Sequence, residues 1–444
     1  MKKMLVIAGS LACGVSYAAS PVFQPIGSSF TLGSSANPSA LSTSLYNPAA
    51  PFLMVDTDEG DRFRFGIIGP GGFGYELGQV DSLTDEIDRL EKKLDETAQT
   101  AEAAQALKDD ANNIVTLLGK DANGKLSTAG QIPFFPVIYK HPKYGSFTFD
   151  ASLSAVGNGK FIDDRIDIVG DDTDGDGTDD TYILSTKSSI YTKYGTDLAF
   201  GFGYANDLWS NQHGMLIAGA KVNIHAVTLG KALLHLGAAD EDGAEDYYAD
   251  SLSDNGKTTI GASLDLGAIW TSEYYQFGIT GTNLNEPTFE YGSLKQDCSQ
   301  LASESVAQNN CYVVDILANQ GRIALSEVHT MERQVTIDSA VFVDDKQWAL
   351  TGAYDLFETS DLLGDKYQWA VAAASYHGEN AWIPGFRIGY RKNMAGTELS
   401  YLTGGFTLFK RLNFDLAYGL ESIEIDGTEA PRSLYVSAGI ESAF

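Results

Sequence analysis

The 444-residue sequence has no apolar run of bilayer-spanning helical length. This excludes an inner-membrane helical protein. Cysteine is scarce, with three residues, and no Cys-x-x-Cys occurs, so thiol redox chemistry of the thioredoxin type is excluded. The six histidines, His141, His213, His225, His235, His329 and His377, are scattered without a metal spacing. Neither they nor any local serine pattern forms a recognisable active site, so no enzyme is expected. Basic residues are few: 30 Lys and Arg stand against 59 Asp and Glu, for a formal charge of −29. A chain that grips phosphate backbones needs the opposite balance, so nucleic acid is not an expected partner.

What is present is alternation. A strand sends successive side chains to opposite faces. Leu198, Phe200, Phe202 and Tyr204 alternate with Asp197, Ala199, Gly201 and Gly203. Leu216, Ala218, Ala220, Val222 and Ile224 alternate with small and polar residues that include Lys221 and Asn223. The same holds for Ile260 to Leu266 around Asp265, for Phe386 to Tyr390 around Arg387, and for Leu412 to Leu420 around Asp415. A soluble sandwich also alternates, but these segments run roughly 9–13 residues, the length a tilted strand needs to cross a bilayer. Mean hydropathy is only −0.13, as expected when lipid-facing and lumen-facing residues average out.

Loop lengths alternate too. Adding segments near 132–140, 367–377 and 397–409 brings the count to about fourteen strands. Short links fall near 206–214, 271–273, 344–346, 378–383 and 410, and long ones near 69–131, 157–190, 229–256, 284–332, 357–366 and 422–431. The expected fold is all-β: a transmembrane antiparallel barrel of about fourteen strands. Trp270, Trp348, Trp369 and Trp382 fall near strand ends, where an aromatic girdle belongs. Inward positions such as Lys221, Asn223, Asp265, Arg387, Asp415 and Glu441 read as a hydrated lumen or a substrate path.

The two ends agree. Lys2 and Lys3 precede Met4-Leu5-Val6-Ile7-Ala8 and then small residues up to Ala18, a signal-peptide pattern over 1–18. Cys13 is the less favoured lipidation alternative. The last segment alternates from Leu434 to a terminal Phe444, the kind of ending read by barrel-insertion machinery. Export to the outer membrane of a Gram-negative bacterium is the expectation, with lipid and that machinery as partners.

Several motifs stand apart. Residues 81–119 read as a helical hairpin broken near Thr97–Thr100, packing on itself or the barrel mouth, or offering a docking surface. Asp172, Asp174, Asp176 and Asp180, with Gly177 after Asp176, form a D-x-D-x-D-G-like acidic loop that is a candidate structural calcium site. Position twelve is Ile183 instead of the bidentate Glu, so a plain acidic loop within 157–190 is the other reading. No further cofactor is expected. Gly69-Pro70-Gly71-Gly72-Phe73-Gly74 fits G-x-G-x-x-G without the surrounding βαβ unit, and reads as a glycine-rich loop end. Cys298 and Cys311 share the long loop 284–332 and pair in an oxidising compartment, the alternative being two free thiols.

The segment from Leu32 through Tyr46-Asn47-Pro48-Ala49-Ala50 resembles the N-terminal hatch of FadL-type barrels. That resemblance implies fourteen strands, a plug inside the barrel over 19–60, and a lateral route for hydrophobic molecules. Only Asn47, Pro48 and Ala49 carry over, as a hatch element. A fuller resemblance joins the Asn-Pro-Ala segment, the acidic helical insertion and Ile383-Pro384-Gly385-Phe386-Arg387-Ile388-Gly389-Tyr390-Arg391. It is to exported proteins called conjugal-transfer TraF-like. It implies a barrel over 61–444 serving as an envelope or surface component associated with conjugal transfer, with envelope proteins as partners. The alternative it leaves open is a passive channel for small hydrophobic molecules. An apolar pocket behind Asn47 with a gap in the wall would favour the channel. A filled lumen with an exposed apolar face on the helical hairpin would favour the scaffold.

Overall fold

The computed structural model describes residues 26–443, apart from 58–59, 80–82, 173–178, 239–242, 345, 379, 381 and 426. The signal segment, Cys13 and Phe444 lie outside the described residues.

Fourteen antiparallel strands follow the alternating segments. They are β1 Phe63–Leu77, β2 Asn123–Gln131, β3 Gly145–Ile162, β4 Ser189–Asn211, β5 Gly214–His235, β6 Lys257–Thr271 and β7 Tyr275–Thr282. The ring continues with β8 Gln334–Val343, β9 Trp348–Asp355, β10 Trp369–Tyr376, β11 Gly385–Asn393, β12 Ser400–Leu408, β13 Leu412–Gly419 and β14 Ser433–Ala443. Each pairs with its chain neighbours, and β1 pairs with β14, which closes the cylinder. Closure removes the unpaired edge that an open sheet would present.

The outward side chains are apolar and exposed. Phe202, Val222, Ile260, Phe277, Leu350, Phe386 and Leu402 come from seven different strands and form part of one belt. An exposed apolar surface that encircles a molecule is matched by lipid and not by water. Trp209 lies 5.5 Å from Trp270, and Trp348 lies 4.8 Å from Tyr376, at the short-turn end. Trp369 departs from the expected girdle. It shares the inward face of β10 with Val371 and stacks beneath Arg391 at 4.0 Å.

Between β1 and β3 the regular ladder is interrupted by a bulge. The sequence predicts a strand near 132–140, but β2 lies earlier and stops at Gln131. The chain then bulges through residues 132–136 and resumes as a short strand, Val137–His141, between β1 and β3. Pro133 and Pro136 have no N–H to give to the ladder. Opposite the bulge, β1 shifts register twice between Gly66 and Gly71. A side chain at Gly69 would lie 2.4 Å from Gln131 Cβ and 2.5 Å from the Phe135 carbonyl oxygen. The glycine-rich run is therefore strand interior at a wall bulge and not the loop end expected.

Four helices stand above the long-loop end: α1 Leu83–Asp95, α2 Ala101–Asp121, α3 Ala244–Asp254 and α4 Val306–Asn319. The Thr100 hydroxyl caps α2 by accepting from the Ala103 amide. Leu90, Ala111, Ile114 and Leu118 of the hairpin pack on Ile166, Leu184 and Leu236. Its apolar face is covered, so the hairpin presents no open docking stripe there.

Candidate functional site: a lumen plugged from both ends

Residues 26–57 run inside the barrel. Asn47 is the pivot of their seating. Its side-chain oxygen accepts from the Ala49 amide at 2.9 Å, and Pro48 presets the turn between them. The Asn47 amide group donates to the Ala268 and Ile279 carbonyl oxygens at 3.5 and 3.4 Å. The wall makes room with a cross-strand pair of glycines, Gly219 on β5 and Gly267 on β6. A Cβ at Gly219 would stand 2.1 Å from the Pro48 carbonyl oxygen, and one at Gly267 would stand 2.1 Å from Asn47 Oδ1. Ala49, Ala50, Leu41 and Val55 pack around this notch against Ile138, Ile217 and Ile269. The space behind Asn47 is a closed apolar core.

Hydrogen bonds tie the hatch to the wall, and ion pairs between wall strands flank them. Arg64 reaches Glu441 at 2.6 Å and donates to the Met54 carbonyl oxygen at 3.1 Å. Gln276 donates to the Ala36 carbonyl oxygen at 3.0 Å, and the Gly27 amide donates to Ser437 Oγ at 2.8 Å. Arg387 pairs with Asp415 at 2.5 Å, and Asp415 accepts from Thr31. Lys221 pairs with Asp150 at 2.8 Å, and Asn223 donates to Asp265 at 2.7 Å. All six inward groups named from the sequence are engaged with protein partners. The expected hydrated lumen is instead a dense polar packing, because a buried charge without a partner is costly.

The other end is filled by loops. Parts of the 284–332 and 356–368 loops turn inward, and Phe289, Tyr291, Met331, Leu362 and Tyr367 pack with Phe30 of the hatch. Lys125 on β2 holds Asp365 at 2.7 Å and donates to the Tyr367 hydroxyl at 2.8 Å. Lys193 pairs with Glu327 at 2.5 Å, and Lys366 pairs with Glu332 at 3.1 Å. Burial pushes the Asp365 carboxyl up, but Lys125 and Lys160 outweigh that and hold it below the usual carboxylate range. Cys298 and Cys311 are joined in a disulfide, which ties the start of this loop to α4.

Between hatch and loops a cavity of about 260 Å³ remains. Asp150, Lys221, His225, Asp265, Asp355 and Arg391 are among its lining, so it is polar and charged. Gln131, beside the wall break, also faces it, and neither polar atom of its side chain has a partner. Asp172 and Asp180 of the acidic loop are described, whereas Asp174 and Asp176 lie outside the described residues. Among the described residues no group of carboxylates, histidines and cysteines is arranged to hold a metal ion.

Sequence reasoning finds Asn47, Pro48 and Ala49. It misses the Gly219–Gly267 notch, the Lys125 latch and the inward Trp369. Parity along β10 is the available signal for Trp369. No local signal marks the other two, since their partners lie far away in the chain.

A closed fourteen-strand cylinder with a lipid-matched belt and an internal hatch defines a plugged transmembrane β-barrel. The chain belongs to the family described as F plasmid transfer operon TraF protein, whose profile matches residues 44–355. No curated protein matches it. Among solved structures it is similar to the Ralstonia pickettii toluene transporter TbuX, at 13% identity and a TM-score of 0.43, over 95% of this chain and 98% of that one. It is also similar to the Pseudomonas putida toluene transporter TodX, at 12% identity and a TM-score of 0.40, over 97% and 99%. A Pseudomonas aeruginosa FadL homologue matches at 9% identity and a TM-score of 0.41, over 97% and 99%. These superpositions are loose, and no substrate follows from them.

Proposed function

We propose that this protein is an outer-membrane component of a Gram-negative conjugal-transfer envelope, in which the barrel is a scaffold that holds an ordered domain above the membrane. The carrying observation is the filled lumen. Hatch and loops meet inside the wall, and the space left between them is small and charged. Such a lumen anchors a structure well and conducts an apolar solute poorly, because burying that solute would desolvate the charges. Because the hairpin's apolar face is covered, partners in this reading would contact the polar outer surface of the helices and loops.

A second reading, a passive channel for small hydrophobic molecules, draws on the wall break at residues 132–136 and the unpartnered Gln131 beside it. One strain separates the two. Deleting the gene is expected to lower mating efficiency and leave uptake of fatty acids and small aromatics unchanged. Normal mating with impaired uptake would replace the scaffold by the channel.

A further inference from the structure

Three inward side chains on consecutive strands line up across the barrel wall: Asp197 on β4, His225 on β5 and Ser263 on β6. The register sets Ala199 opposite His225 and Asn223 opposite Ser263, so the three lie on one diagonal. His225 Nδ1 is 2.9 Å from Asp197 Oδ2, and His225 Nε2 is 3.0 Å from Ser263 Oγ. An ionised Asp197 accepts from Nδ1–H, which leaves the Nε2 lone pair to accept from the serine hydroxyl. Asn223 Nδ2 donates to Ser263 Oγ at 3.1 Å. All three relay residues are almost fully buried, at 0%, 2% and 1% exposure, so their interactions act in a low dielectric. Asn223, His225 and Asp265, the groups around the serine hydroxyl, line the lumen cavity. Gly261, directly opposite His225, leaves room for Phe289, whose ring meets the imidazole edge-on at 6.2 Å.

We propose that Asp197, His225 and Ser263 form a hydrolytic site for small acyl esters that enter the lumen cavity. The order Ser–His–Asp by hydrogen bond, and not by position in the chain, is what acyl transfer requires. Ser263 Oγ attacks the ester carbonyl carbon while its proton passes to His225 Nε2. Asp197 holds the ring in the correct tautomer and stabilises the imidazolium. The C–O bond to the alcohol breaks, and the alcohol leaves with the proton from Nε2. Water then attacks the acyl-serine, His225 takes its proton, and a carboxylic acid and free Ser263 result. Asn223 is the donor placed to reach the oxygen that becomes negative. The cavity of about 260 Å³ restricts the substrate to a short acyl chain. Phe289 is the lid residue over the imidazole.

The test treats the full-length barrel, in detergent, with diisopropyl fluorophosphate and locates adducts by peptide mass spectrometry. Heat-modifiable gel migration confirms that each variant is folded. Ser263 is expected to be labelled in the wild-type protein, and faster in Phe289→Ala, where the lid is removed. Labelling and p-nitrophenyl acetate turnover are expected to fall by about 10²-fold or more in His225→Gln and Asp197→Asn. Absence of a Ser263 adduct in both the wild type and Phe289→Ala overturns the proposal, as does labelling that persists unchanged in His225→Gln.

Discussion

The barrel has a tall wall and a short one. Strands β3, β4 and β5 span 18, 23 and 22 residues, whereas β7, β9, β10 and β13 span 8 each. About 9–11 residues suffice to cross a bilayer, so the tall strands continue above it. The same outward face of one strand then meets two different surroundings. On β5, Val222 is 46% exposed in the belt, while Leu234 is 1% exposed beneath α3 and α4. On β4, the Thr192 hydroxyl meets the Tyr248 hydroxyl of α3 at 2.5 Å, well above the lipid-facing Phe200 and Phe202. Apolar alternation is thus continuous along the strand, but its partner changes from acyl chains to helices. The short wall has no such extension. Its order comes from inside, through pairs such as Arg387–Asp415 and through Arg391, which stacks on Trp369 and donates to the Phe30 carbonyl oxygen.

The comparison can be broken first from within the short wall. Arg387→Ala leaves Asp415 buried and unpaired, and is expected to cost about 3–5 kcal/mol, read as a shift in urea midpoint for unfolding in lipid vesicles. A loss under about 1 kcal/mol would mean that the interior pairs do not hold this side. The tall wall offers a sharper contrast between two outward residues. Phe202→Arg in the belt is expected to cost about 2–4 kcal/mol in a bilayer and far less in a forgiving detergent. Leu234→Ala beneath the helices should cost about 2–5 kcal/mol in both media. Equal medium dependence at the two sites would erase the boundary between lipid-facing and helix-facing wall. The smallest effect concerns the loop latch. Because the Asp365 carboxyl is held low, its contribution is fully present above the unfolded carboxylate value of about 3.9. It is lost as the pH falls through the lower folded value. Protease cleavage within 356–368 should therefore stay constant from neutral pH down to about 4 and rise only below it. A Lys125→Met variant should be cleaved faster already at neutral pH.

Much of this architecture is legible in the chain's own patterning. The outward set Phe200, Phe202, Val222 and Ile224 follows from parity alone, because a pleat has a fixed period of two. The broken helical hairpin, the disulfide partners and the Asn47-Pro48-Ala49 turn are local patterns and can be read locally. Other features are not legible for the opposite reason. Helices α3 and α4 lie in long loops, and they dock on β5, a partner distant from them in pattern and not marked in their own sequence. Sequence reasoning sets the second strand a few residues late, since Ile132 to His141 looks like one apolar segment with two prolines in it, whereas β2 ends at Gln131.

By itself the sequence determined about fourteen strands and the sidedness of each, which depend on neighbours in the chain, while the hatch was implied by a family resemblance. Only the tertiary structure decided what the inward residues do. Whether Asp415, Lys221 or His225 faces water, a substrate or a partner depends on cross-strand register and on loops folding back from the far end. Those contacts span tens to hundreds of residues, and no periodicity encodes them. The Gly219–Gly267 notch and the diagonal from Asp197 to Ser263 exist only once β4, β5 and β6 have paired in register.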